Sequence, residues 1–163
     1  MKEIETMTRL SQHGSSPYCL DLLETFNITP KDGTENHICV VTPYHDGDVF
    51  SVAKSLGSFA FPLKLAKRIL LHVLRGLAHA HKCGVIHTDI KHDNIFVENT
   101  MSAEEIEQWI KGDPSRLHPP EHSLSGVVQA AVSQPLPMQL KVEELMKRKF
   151  ILADYGYGTS FPH

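Results

Sequence analysis

The stretch Val85-Ile86-His87-Thr88-Asp89-Ile90-Lys91-His92-Asp93-Asn94-Ile95-Phe96-Val97 constrains this chain more than any other. Ile86, Ile90, Ile95 and Val97 form an apolar frame, which predicts a buried strand or turn packed rigidly against a core. Inside the frame stand Asp89, Lys91 and Asn94, an acid, a cation and an amide within six positions. Polar groups held in apolar surroundings are costly unless paired. The stretch is therefore either a solvated turn between two strands or a catalytic constellation, for which rigid placement is the requirement.

The order of residue types decides between these. His87-x-Asp89-x-Lys91-x-x-Asn94 resembles the catalytic loop of eukaryotic protein kinases, whose pattern runs H-R-D-L-x-x-x-N. The resemblance implies phosphoryl transfer, in which a protein mainly positions reactants and neutralises charge. It makes Asp89 the group that orients a substrate hydroxyl and accepts its proton. Lys91 offsets charge growing on the transferred phosphoryl group, and Asn94 supplies an oxygen to magnesium. His87 is structural, tying the loop to a magnesium-binding segment further along. That segment is Phe150-Ile151-Leu152-Ala153-Asp154-Tyr155-Gly156, an apolar strand leading into a tripeptide similar to the kinase D-F-G, with Asp154 as the magnesium ligand. ATP and Mg2+ are the implied cofactors.

Upstream, Ile4, Met7 and Leu10 recur at helical spacing over residues 1–11. The resemblance matches this helix to the one whose glutamate pairs with a strand lysine, with Glu3 at that position and Glu5 as the alternate. Tyr18 to Ile28 and His37 to Pro43 read as a hairpin joined by Thr29–Asn36, whose Pro30, Asp32 and Gly33 are turn chemistry. The second strand runs into 43–48, which looks like the kinase hinge. On that match Thr42 is the gatekeeper, Pro43 gives its carbonyl to adenine and His45 its amide; proline suits the position because it lacks only the donor. A plain strand ending in a Pro and Gly turn is the other reading of these residues.

Residues 49–58 predict a short helix closed by Gly57-Ser58. After Pro62, the residues Ala66, Ile69, Leu70, Val73, Leu74, Leu77 and Ala78 predict a long core helix ending at Cys83-Gly84. Its His72, His79 and His81 read as polar or half-buried helix residues rather than metal ligands, because positions two apart face different sides. His81 is expected to pack just before the Gly84 terminator.

Residues 98–148 separate the two motifs by far more than a strand and turn. They predict a helix from Ser102 to Lys111 with a Ser102/Glu105 capping box and Trp109 as an anchor. An extended Pro-rich run through Pro114, Pro119, Pro120, Pro135 and Pro137 follows, then a short helix near Val142 to Lys149. The insertion reads as a spacer or a docking surface. His87-Thr88-Asp89 in place of His-Arg-Asp, followed by an insertion, is similar to the kinases that phosphorylate serine/arginine-rich proteins and to their fungal relatives. His92-Asp93 and Tyr155 depart from that group. Thr88 implies activity that does not wait for a phosphorylated activation loop.

The expected fold is thus α+β, a partial protein-kinase-like fold: a remnant of the small lobe over 1–42, hinge 43–48, the start of the helical lobe over 49–97, the insertion, and the magnesium segment 149–163. No G-x-G-x-x-G and no strand-borne Val-Ala-Ile-Lys occur, and the chain reaches Phe161-Pro162-His163 without an Ala-Pro-Glu. Two readings follow: an ATP-dependent serine/threonine kinase represented by an incomplete chain, or a kinase-derived binding module without turnover. At 163 residues and 41% hydrophobic content the chain can bury a core. A net charge of -3 offers no general attraction to nucleic acid or acidic membrane. Cys19, Cys39 and Cys83 are widely spaced and read as reduced thiols. A charged start and the absence of a long apolar run predict an intracellular protein with neither leader nor membrane span. Its expected partners are ATP and a protein substrate, serine/arginine-rich by analogy.

Overall fold

In the computed structural model the apolar spacing at the start of the chain is realised as helix α1, Lys2–Gln12, which buries Met7 and Leu10. The structure describes residues 2–12, 14–29, 36–58, 60–123, 126–132 and 141–160. Most of the predicted 29–36 turn, the Pro135 and Pro137 region and the last three residues lie outside them. The chain divides into two units, residues 1–99 with 139–163, and residues 100–138.

In the first unit α1 is followed by an antiparallel hairpin, β1 (Glu24–Ile28) and β2 (His37–Val41), with Phe26 opposite Cys39. The first strand is shorter than Tyr18 to Ile28. Tyr18 and Leu20 instead give their carbonyl and amide to Leu152, at 2.9 Å each, and so extend another sheet. Next come β3 (His45–Asp48) and α2 (Val49–Ser55), whose first turn is capped where Ser51 N–H donates to the Asp48 carboxylate at 2.6 Å. Gly57, at φ 66°, ends α2 as expected.

The long helix α3 spans Leu63–Lys82 and buries Leu65, Ile69, His72, Val73, Gly76 and Ala80 along one side. Gly76 is a packing requirement: a Cβ there would stand 2.6 Å from the Tyr18 carbonyl oxygen. The predicted helix histidines prove structural. His72 is buried and its Nδ1 accepts the Phe150 N–H at 3.1 Å, while His79 Nε2 lies 3.1 Å from the Leu10 carbonyl. His81 does not pack inward; it is exposed and contributes its carbonyl to the Gly84 N–H.

After α3, β4 (Val85–Ile86) leads through a 3-10 turn at His92–Asn94 into β5 (Ile95–Glu98). Beyond 141, α5 is a single turn, Val142–Leu145, rather than a helix reaching Lys149; its C-cap is Met146. Then follow β8 (Phe150–Leu152) and β9 (Thr159–Ser160), the two strands between belonging to the second unit. β5 is the middle of the sheet β3-β5-β8, with Val97 opposite Phe150 and Ile95 opposite Leu152, and β4 pairs with β9. Val97, Phe150 and Leu152 are wholly buried. The core joins α1, α3 and this sheet through Met7, Leu10, Cys19, Ala80, Leu152 and Tyr155.

The second unit opens with α4, Ala103–Gly112, carrying the expected capping box: Glu105 N–H donates to Ser102 Oγ and Ser102 N–H to the Glu105 carboxylate. The run after it is not merely extended. It folds back as β6 (Glu121–Ser123) against β7 (Gly126–Val128), and the pairing continues outward through Leu117 and Ala131.

Candidate functional site

The short apolar flanks of the 87–97 stretch explain why its polar centre is rigid. Ile95 and Val97 point into the core and are buried, anchoring one end, while Val85 anchors the other. Ile90 was expected to join them and does not: it is 49% exposed, at the edge of an apolar groove shared with Val49, Ile69 and Val73. The loop is held instead by polar bonds. His87, 1% exposed, places Nε2 2.9 Å from the Ala153 carbonyl oxygen and its ring 5.0 Å from that of Tyr155. Ala153 N–H donates to the Asn94 carbonyl at 2.9 Å. The residue just before Asp154 is therefore gripped from two sides, which brings the two distant motifs together as the sequence reading of His87 required.

Within the loop, Lys91 Nζ donates to Asp89 Oδ2 at 2.7 Å, and Asn94 Nδ2 donates to the same oxygen at 3.0 Å and to the Asp89 carbonyl at 2.9 Å. The Lys91 bond holds the Asp89 carboxyl below the usual carboxylate range, and the Asn94 bond acts in the same sense. Lys91 is correspondingly raised, first by its bond to Asp89, and the charge of Asp154 also acts on it. Two residues sit at left-handed backbone angles: Thr88 at φ 69° and Asp154 at φ 61°. Such angles outside glycine are uncommon and collect at functional sites. Thr88 is steadied by donating its hydroxyl to the Tyr157 carbonyl at 3.0 Å.

Asp154 Oδ1 accepts the Gly156 N–H at 3.3 Å. A Cβ on Gly156 would stand 3.2 Å from that oxygen and 4.0 Å from Glu3 Oε2, so the glycine leaves room for both carboxylates. Glu3 thus reaches this segment, whereas Glu5 is exposed. Asn94 spends its amide nitrogen on Asp89 and retains its oxygen; Asp154 retains Oδ2. Such hard oxygen donors suit magnesium, which keeps several waters and takes further oxygens from phosphates. Among the described residues no group of three or more His, Cys, Asp or Glu side chains is placed to hold a metal. An ion held by these two side-chain oxygens would complete its shell with waters or with the phosphates of a nucleotide.

The predicted hinge residues line a separate cleft of about 340 Å³ formed by Thr42, Pro43, Tyr44, His45, Gly47, Asp48 and Phe96. Thr42 Oγ1 donates to the Pro43 carbonyl at 3.3 Å, and His45 stands opposite Glu98 in the β3–β5 ladder. The His45 ring, 5.5 Å from that of Phe96, has both nitrogens buried without a hydrogen-bond partner, and burial pushes it below the usual imidazole range. Phe96 was missed in the sequence. Alternation along β5 carries the signal, since Ile95 and Val97 are buried on one face of the strand and Phe96 lies on the other, where it is half-buried and packs against the core cluster. As Phe96 follows Asn94 by two residues, the cleft adjoins the polar loop along one strand.

A family model of the protein kinase domain matches residues 1–109. The chain belongs to the protein kinase domain family. It is similar to the sporulation protein kinase mde3 of Schizosaccharomyces pombe, 35% identical over 98 residues, which are 60% of this chain and 16% of that protein. It is also similar to two kinases of Saccharomyces cerevisiae: the dual specificity protein kinase KNS1, at 33% over 48% of this chain and 10% of the relative, and the serine/threonine-protein kinase SKY1, at 33% over 50% and 11%. The chain spans a tenth to a sixth of the length of these kinases.

Proposed function

We propose that the protein containing this kinase domain transfers the γ-phosphoryl group of ATP to a serine or threonine hydroxyl of a protein, serine/arginine-rich by the analogy drawn from Thr88 and the insertion. The observation that carries the reading is the bonding of Ala153 to both His87 and Asn94, which sets Asp154 beside the catalytic loop. Asp89, ionised and bonded through Oδ2, offers Oδ1 to a substrate hydroxyl. Its depressed basicity suits a group that orients the hydroxyl and takes its proton late in the transfer. Lys91 places its ammonium where negative charge develops. Asn94 and Asp154 are the residues that would hold magnesium, which when bound neutralises the phosphates. Thr42, Pro43 and His45 would line the adenine end of the cleft, above Phe96. The Thr88–Tyr157 bond supports an arrangement held without a phosphate on the following segment.

The test is transfer of labelled phosphate from ATP by the full-length protein to an Arg-Ser-rich peptide and to its tyrosine-substituted form. Transfer to the serine peptide alone is expected, with Asp89→Asn lowering the rate by at least about 100-fold. Transfer that is unaffected by Asp89→Asn, or absent altogether, contradicts the proposal.

A further inference from the structure

Between His45 and Gly47 the β3–β5 ladder slips by one residue: His45 faces Glu98, Gly47 faces Val97, and Asp46 is the extra residue of a β-bulge. Bulges redirect a strand and frequently stand beside functional sites. Here the residues on either side of the bulge line the Phe96 cleft, whereas Asp46 does not. The Asp46 carboxylate is instead ion-paired with Arg148 Nη1, and both side chains are nearly inaccessible, 4% and 7% exposed. Arg148 is fixed in turn. Its carbonyl accepts two bonds from Arg68 of α3, at 2.9 and 2.8 Å, and Nη1 also reaches the Glu98 carbonyl at 3.4 Å. The other carboxylate oxygen of Asp46 is buried without a partner, so its compensation rests on Arg148.

Arg148 lies where the chain returns from the long excursion that leaves after Glu98. The two ends are zipped together: Glu98 N–H donates to the Lys149 carbonyl, Lys149 N–H to the Glu98 carboxylate, and the two side chains form a second ion pair. We propose that Arg148 is a positioning residue for the nucleotide cleft, acting through Asp46 to hold the bulge and thus the 42–48 segment at the pitch that the cleft requires. The role in nucleotide affinity rests on the kinase reading above; the mechanical role does not. It follows that Arg148, at the foot of the insertion, bears on the site.

The experiment compares wild type with Arg148→Met, Arg148→Lys and the Asp46→Asn/Arg148→Met double variant, using Lys149→Met as a stem control. Dissociation constants for Mg·ATP and amide exchange across residues 42–47 are read in each folded protein. Arg148→Met is expected to weaken Mg·ATP at least tenfold and to speed exchange at 42–47 by a similar factor. Arg148→Lys and the double variant should recover part of both, and Lys149→Met should leave both within twofold. Should Arg148→Met fail to fold, the Lys variant and the double variant carry the comparison through a partial loss. If exchange responds as described but wild type does not bind Mg·ATP, the kinase reading fails and the strut stands. If wild type binds Mg·ATP and neither affinity nor exchange responds, or if Lys149→Met matches Arg148→Met, the strut is overturned.

Discussion

The β1–β2 hairpin and the β3-β5-β8 sheet are both short antiparallel ladders, and they differ in what covers them. In the hairpin Phe26, Ile28, Ile38 and Val40 are 42–50% exposed. In the other sheet Val97, Phe150 and Leu152 are at 0%, wrapped by α3 and by the Tyr18–Leu20 segment. Ladder bonds alone leave a two-stranded hairpin marginal in water, while burying a large apolar side chain contributes about 1.5–3 kcal/mol. The comparison teaches that the rigidity of the site is borrowed from the covered sheet. The 87–94 loop and the Asp154 segment adjoin the ends of two buried strands, and the uncovered hairpin is joined to that sheet through residues 21–23 on one side and 42–44 on the other.

The largest effect should come from emptying the covered sheet. Phe150→Ala is expected to cost about 3–5 kcal/mol in urea denaturation, whereas Phe26→Ala in the hairpin should cost under about 1. Equal losses would erase the distinction. The sheet should also be the acid-sensitive part. Burial, seconded by the charges of Arg68 and Arg75, lowers His72 to about 4 from the usual 6.5. Folded His72 therefore stays neutral while the unfolded residue takes up a proton. Stability should fall as pH drops from about 6.5 to 4 and level off below. Buried His45 shifts in the same direction and adds to the loss. Denaturation of His72→Asn across that range should show a shallower slope, since the amide oxygen accepts the Phe150 N–H without titrating.

Gly76→Ala, which presses α3 against the Tyr18 carbonyl, is expected to cost about 1–3 kcal/mol and to loosen the Leu152 pairing in amide exchange. The smallest effect belongs to the hairpin surface. Ile38→Thr with Val40→Thr should change stability by under about 1 kcal/mol yet reduce self-association seen by light scattering. Association unchanged by both substitutions would show that the exposed apolar face is inert.

Much of this was legible in the sequence because period and punctuation act locally. Met7 and Leu10, the α3 stripe and the Ser102/Glu105 box each report on their own segment. Pairing of His87 with the Asp154 segment was legible only through the likeness to a family, since the bonds between them span 66 positions. Three features were not legible. Tyr18–Leu20 looked like the start of a strand because its apolar pattern is the same whether it pairs with Val41 or with Leu152. Ile90 was assigned to the core on composition alone, although the loop's polar bonds had already fixed the backbone and left it outward. Asp46 and Arg148 lie 102 positions apart, and no periodicity can pair a carboxylate in one strand's bulge with a guanidinium after an insertion.

The central claim is that the catalytic loop and the Asp154 segment form one preassembled site for Mg·ATP. It is tested most directly by thermal unfolding of the full-length protein with saturating ATP and magnesium, beside Asp154→Ala. Ligand at about 100 times its dissociation constant should stabilise by about 2.7 kcal/mol, a rise of several degrees. That rise should require both magnesium and nucleotide and vanish in Asp154→Ala. An unchanged Tm in the wild type, or a rise that survives the substitution, would contradict the account.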